Sequence, residues 1–145
     1  MPIVRRWLIP GRVILSKPQD DIMLEDHIEQ RQALNAMFST GQPPVHLIFD
    51  IREMGRVRVP LAAVIRYASY LRHPNFGWAV LYGQSYNRLA RLMTDTVGQR
   101  FGVKYRMFDF QERAIAFLAQ QDASLSASVL LEALSLVEEG PPVWP

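Results

Sequence analysis

The polarity of this chain changes period along its length. Residues 3–9 and 12–16 are short apolar runs parted by Pro10-Gly11, a turn signal, and read as two adjoining strands of a hairpin. Leu24, Ile28, Leu34, Met37 and Phe38 recur at helical spacing, which predicts a helix over 24–39, ended by Gly41-Gln42-Pro43-Pro44. Residues 45–51, Val-His-Leu-Ile-Phe-Asp-Ile, are nearly all apolar between breakers. A strand covered on both faces has this pattern, so it is expected to be central in a sheet. Residues 52–59 have loop composition. Pro60 then opens a helix at its first helical position, where a missing N–H costs nothing, and Leu61, Val64, Ile65, Ala68 and Leu71 make one apolar stripe. His73-Pro74-Asn75 stops it.

The same alternation continues. Residues 77–83 read as another buried strand, and Ser85 as the N-cap of a helix with Leu89, Leu92, Met93, Thr96 and Phe101 on one side and Gly102 just past its end. Residues 104–108 form a short last strand. Asp109 and Glu112 have capping-box spacing, ahead of a helix that turns Ala114, Phe117 and Leu118 inward. After a break at 122–126, residues 126–139 read as one more helix, and 140–145, rich in proline, as a loose tail. The order is β-β-α-β-α-β-α-β-α with an extra C-terminal helix. Strands alternating with helices argue an α/β fold: a mixed, mostly parallel sheet of about five strands with helices packed against it.

Composition narrows the function classes. A chain of 145 residues is the size of one domain and can bury a core without staples. It contains no cysteine, which removes disulfides, thiolate metal sites and cysteine nucleophiles together. No apolar run approaches the roughly 18 residues of a membrane span, and the apolar start is broken by Pro10-Gly11-Arg12, so it reads as a first strand of a cytoplasmic protein and not as a signal peptide. The charge is uneven: residues 52–113 sum to +7, the first 51 to −1 and the last 32 to −4. Arginine outnumbers lysine fourteen to two, which fits either guanidinium recognition of anions or a GC-rich genome.

Three stretches carry a resemblance: 44–52, Pro-Val-His-Leu-Ile-Phe-Asp-Ile-Arg; 73–83, His-Pro-Asn-Phe-Gly-Trp-Ala-Val-Leu-Tyr-Gly; and Phe108 to Glu112 followed by Ala114-Ile115-Ala116-Phe117-Leu118. Over roughly residues 3–120 the sequence resembles the STAS-like superfamily, the fold of anti-sigma-factor antagonists and of the cytoplasmic domains of sulfate transporters. The resemblance implies a domain over 1–122, an added helix over 123–139 beyond it, a tail over 140–145, and a bacterial switch or docking module. In the antagonists a Ser or Thr in the loop after the central strand is phosphorylated, where a helix N-terminus and an altered docking surface give the phosphate its effect. The matching stretch here, residues 52–60, has no Ser, Thr or Tyr, so regulation by that modification is not expected.

Candidate chemistry is sparse. His27, His46 and His73 are far apart without ligand spacing, so no metal and no cofactor is expected; His46, in the buried strand, reads as a satisfied core residue. Gly83-Gln84-Ser85-Tyr86-Asn87 sits where α/β-hydrolases place a nucleophile, but Asn87 replaces the closing glycine and no histidine follows, so Ser85 reads as a cap. Asp50 lies at a strand end where α/β sheets place ligands, or else pairs with an arginine. A hydrolase-like enzyme using Ser85 or Asp50 is therefore a distant alternative. Arg52, Arg56, Arg58, Arg88 and Arg91 follow strand ends on one edge of a parallel sheet and could form a rim for an acidic protein partner or a small anion, or be a solvated loop. Nucleic acid is not an expected partner, since no helix-turn-helix or RNP-type motif is present. Leu130, Leu131, Leu134 and Val137 give the last helix a wide apolar face that either covers the domain's own sheet or pairs with a second copy in a homodimer. The leading expectation is a non-catalytic module that docks a protein partner. The alternative is a small-molecule or lipid sensor with a cleft between helices and sheet, lined by Trp7, Phe76 and Trp78.

Overall fold

The computed structural model of the chain describes residues 3–84 and 87–139. Among these residues seven strands occur: β1 (Ile3–Ile9), β2 (Val13–Pro18), β3 (Asp20–Ile22), β4 (Val45–Asp50), β5 (Met54–Val57), β6 (Phe76–Tyr82) and β7 (Lys104–Phe108). The helices are α1 (Leu24–Thr40), α2 (Leu61–Tyr67), α3 (Arg88–Phe101), α4 (Gln111–Gln121) and α5 (Ala127–Glu139), with a 3-10 turn at Ser69–Arg72. Five strands make one sheet in the order β1-β2-β4-β6-β7. The β1–β2 hairpin is antiparallel and the other pairings are parallel, with the apolar β4 in the centre, as its composition predicts.

From β2 onward the main sheet grows in one direction only, so the connecting helices α1, α2 and α3 fall on one face, as crossovers of a single hand require. The strands' alternation then builds two cores. On the first face Ile14, Val45 and Leu47 meet Leu34 and Phe38 of α1 and Leu71 of the 3-10 turn. On the second face Val13, Leu15, Ile48, Val80 and Tyr82 meet Ala114, Ile115 and Leu118 of α4 and Leu130 and Leu134 of α5. Of the two roles open to the last helix, the structure shows the covering one. Leu130 and Leu134 are buried in the chain's own core, and Leu131 and Val137 pack against it. Self-association through these four side chains would have to compete with that packing.

Other expectations need correction. Residues 52–59 are not all loop. β5 lies among them and pairs in parallel with β3 as a separate two-stranded sheet. Pro60 is the N-cap of α2, not its first helical residue; its carbonyl accepts from Ala63 and Val64 N–H at 2.9 and 3.1 Å. Ser85 lies outside the described residues. The cap of α3 is Asn87, whose Oδ1 accepts from Leu89 and Ala90 N–H at 3.1 Å each. Helix α4 is capped at Phe110, one residue past Asp109. Leu24, Leu61, Leu89 and Leu92, assigned to inward stripes by spacing, are exposed. Gly102 ends α3 in the left-handed region, as expected, at φ 63°. Gly98 is needed for a different reason: an added Cβ would overlap the Tyr105 ring, so its absence lets α3 approach β7.

Candidate binding cavity

Helices α1 to α3 do not fill the face they cover. Seven residues of α2 span only ~10 Å. The strands beneath, six residues in β4 and seven in β6, run for ~20 Å. Helix α3 buries only Gly98, so it stands on the sheet by its edge. The result is a cavity of about 430 Å³ toward the carboxyl ends of the parallel strands. Its floor is Phe49 and Ile51 from the β4 end, Ala79 and Leu81 from β6, Val103 just before β7, and Tyr105 of β7. Val64, Tyr70 and Leu71 form one wall, and Leu89, Ala90, Met93 and Val97 of α3 another. Ile22 of β3 and Met54 to Val57 of β5 close a third side. The small sheet that the sequence pattern hid is thus part of the cavity wall.

Most polar groups at the wall are already engaged. Gln30 donates from Nε2 to Ser16 Oγ at 2.9 Å and accepts from Arg5 Nη1 at 2.7 Å. Gln84 donates to the carbonyls of Ile51 at 2.6 Å and Met54 at 3.0 Å, pinning the loop after β4. The Tyr105 hydroxyl donates to Asp95 at 2.9 Å. Two groups differ. Among the described residues, His27 Nε2 is the buried side-chain nitrogen or oxygen without a hydrogen-bond partner, and burial holds the ring's pKa below its usual value against the pull of Asp26. Burial also pushes the Tyr70 hydroxyl's pKa up, so it stays a neutral donor. An unpartnered buried nitrogen costs stability, about 1–3 kcal/mol. His27→Leu is therefore expected to stabilise the empty protein by about 1 kcal/mol in urea unfolding at neutral pH. A variant less stable than the parent would show that Nε2 has a partner in solution.

The structure separates the arginines expected to form one rim. Arg52 folds back onto Asp50, donating from Nε at 3.0 Å and Nη2 at 2.7 Å, and reaches Glu138 of α5 at 2.5 Å. These bonds, Asp50's first, raise its pKa further. Asp50 is buried, so of its two readings the structure shows arginine pairing. Arg58 binds Asp21 at 2.9 Å, and Asp21 also accepts the Arg56 N–H at 2.8 Å; these bonds lower its pKa. The Arg56 side chain is exposed at the cavity's edge. Arg88 and Arg91 are exposed on α3 without an ion pair to any described residue. The expected cleft between helices and sheet is present, but Trp7, Phe76 and Trp78 do not line it. Trp7 and Phe76 pack into the first core, and Trp78 lies on the opposite face, edge to face with Phe117 at 5.0 Å. Among the described residues no three His, Asp or Glu come together as metal ligands, and no helix is long and apolar enough to cross a membrane.

No protein-family model matches the sequence, and no curated protein matches it. A solved structure does: an uncharacterized protein of the DUF3478 family with a SpoIIAA-like fold, from Shewanella loihica PV-4. It aligns with TM-score 0.59 over 80% of this chain and 91% of that one, at 15% identity. The chain has a SpoIIAA-like fold. The stretches 44–52 and 73–83, which carried the resemblance, are the central β4 and its neighbour β6 with their flanks. The loop after the central strand of the SpoIIAA-like fold is here the segment that holds β5 and closes the cavity. His27 had no signal in its spacing. Its role comes from where α1 crosses the sheet.

Proposed function

We propose that this chain is a non-catalytic binding module whose cavity takes one small, largely apolar molecule, and that occupancy of the cavity is the signal it passes to a docking surface. The cavity carries this reading. About 430 Å³ lined mainly by aliphatic and aromatic side chains, with a few polar groups at its edge, has the size and chemistry of a ligand site. A SpoIIAA-like fold supports a regulatory or binding role in general terms. In the antagonists that the sequence resembles, the loop after the central strand takes a phosphate. Here that loop offers no hydroxyl between residues 52 and 60, but Met54, Arg56 and Val57 line the cavity. A bound molecule would touch the segment that elsewhere receives the modification.

Native mass spectrometry of protein purified without detergent or refolding is the first test, followed by titration with a soluble fluorescent apolar probe. One retained molecule, or saturable one-site binding, is expected. Ala79 stands on the cavity floor, so Ala79→Leu fills space and should weaken probe binding at least about tenfold, equivalent to about 1.4 kcal/mol. Circular dichroism should remain unchanged. A protein that carries nothing and binds the probe no better than its Ala79→Leu variant would overturn the reading.

A further inference from the structure

The wall of the cavity formed by α3 has an outer side of unusual composition. At 100° per residue, Ala90, Met93, Thr94 and Val97 face the cavity and Arg88, Arg91 and Leu92 face away from it. Leu89 does both: it lines the cavity and is 65% exposed, which places it at the mouth. Leu92 is 62% exposed. Leu61, one turn before the cavity-lining Val64 on α2, is 39% exposed, and α2 packs on α3. Exposed apolar side chains also occur on the other face, at Phe110, Val129 and Leu136; those of α2 and α3 differ in standing on the helices that wall the cavity.

Charge says what the use is. Helix α2, the 3-10 turn and α3 carry Arg66, Arg72, Arg88, Arg91 and Arg100 against Asp95 alone. The helices on the opposite face of the sheet, α4 and α5, carry Glu112, Glu132 and Glu138 against Arg113. Helix α1, on the same face as α2 and α3, carries Glu25, Asp26 and Glu29 against Arg31, so the positive charge of the cavity's side is concentrated on α2 and α3. An anionic surface would turn that side toward itself. An apolar ligand of this cavity's size is also sparingly soluble in water and would be taken from a bilayer.

We propose that α2 and α3 dock on an anionic membrane surface, with Leu61, Leu89 and Leu92 entering the headgroup boundary and Arg88 and Arg91 meeting lipid phosphates, so that the cavity opens onto the lipid that loads it. This rests on the cavity reading above for what is loaded, but not for the docking itself. The test is co-sedimentation with vesicles of phosphatidylcholine alone or mixed with phosphatidylglycerol, run beside the probe titration in solution. The chain should bind the mixed vesicles, with affinity falling steeply with salt, and ignore the neutral ones. Arg88→Glu with Arg91→Glu should lower vesicle binding at least about tenfold, and Leu61→Ser with Leu92→Ser by a similar factor. Neither pair lines the cavity, so both should keep probe affinity, whereas Ala79→Leu should lose probe affinity and keep vesicle binding. A chain that binds probe but not anionic vesicles overturns the docking and leaves the cavity. Vesicle binding without probe binding does the reverse. Binding that follows the arginines and ignores the leucines overturns membrane insertion in favour of an acidic soluble partner.

Discussion

Truncating Leu130 or Leu134 to alanine is expected to cost about 3 kcal/mol each in chemical unfolding, and the pair together about 5 kcal/mol or more. Both side chains are all but fully buried, at 0% and 2% exposure, and they sit one turn apart in one core with Leu15, Ile48 and Val80. A leucine removed there loses its transfer energy and leaves a void that the rigid β4–β6 floor cannot collapse to fill. The two sites share that void, so their effects need not add. A loss of this size is a large fraction of the ~5–15 kcal/mol that holds a domain together. Leu136, on the same helix but 63% exposed, is the internal control; its alanine variant should stay within about 0.5 kcal/mol of the parent. The unfolding midpoints should not move with protein concentration, because the helix is packed on its own chain. A midpoint that rose with concentration would mean that α5 is the seam of a dimer, and that its leucines are held by a second copy.

Helix α5 shows why some of this fold was legible in the sequence and some was not. Where burial is on both faces, composition alone signals the element: β4 and β6 are nearly all apolar between Pro, Gly and Asn, and their place inside the sheet followed. Where burial is on one face, spacing finds the stripe but not what meets it. The same leucine spacing occurs on α5 and on α3. In α5 it meets the sheet, and in α3 it meets water, because α3 stands on Gly98. β3 and β5 are three and four residues long and half exposed, too short to show any period. A cleft between helices and sheet was expected, but its lining had no signature, since it is the space that a seven-residue helix fails to cover. The Asp50–Arg52 pair was within reach, two residues apart at a strand end. The arginine rim was not, because the sequence does not show that Arg52 turns back to Asp50 and Glu138, leaving Arg56, Arg88 and Arg91 outside.

A contact without local signal joins residues 76 apart, His46 and Asp122. Asp122, at the turn between α4 and α5, accepts four hydrogen bonds. Oδ2 takes Arg12 Nη2 and His46 Nε2 at 2.8 Å each, and Oδ1 takes the Ser124 hydroxyl at 2.6 Å and its N–H at 3.0 Å. Burial pushes the carboxyl's pKa up, but the bonds from Ser124 and His46 outweigh it and bring it to about 2. His46, 2% exposed, accepts the Trp78 N–H on Nδ1 at 3.0 Å, which fixes its proton on Nε2 and makes the ring a neutral donor to Asp122. Protonating Nδ1 would break that bond. Burial holds the ring's pKa below its usual value despite the carboxylate.

The signs then give two acid windows. The unfolded chain protonates His46 and His27 first, both of which the fold holds lower, so stability should begin to fall as pH drops below about 6.5. Asp122 adds a second loss between about pH 4 and pH 2, where the unfolded carboxyl takes a proton and the folded one does not. Asp122→Ala should cost about 3 kcal/mol at neutral pH, since it leaves a buried Nε2–H unpaired and frees Arg12 from its partner. It should also shrink the lower window to the part that Asp21 and Glu53, whose pKa values are lowered as well, still contribute. The upper window should remain and extend to lower pH, because without the carboxylate the His46 pKa falls further. Urea unfolding of both proteins at pH 7.5, 5 and 3 reads all three effects. A variant within about 0.5 kcal/mol of the parent at neutral pH, or one that kept all of the parent's loss between pH 4 and 2, would mean that the α4–α5 turn is held to the sheet by apolar packing alone.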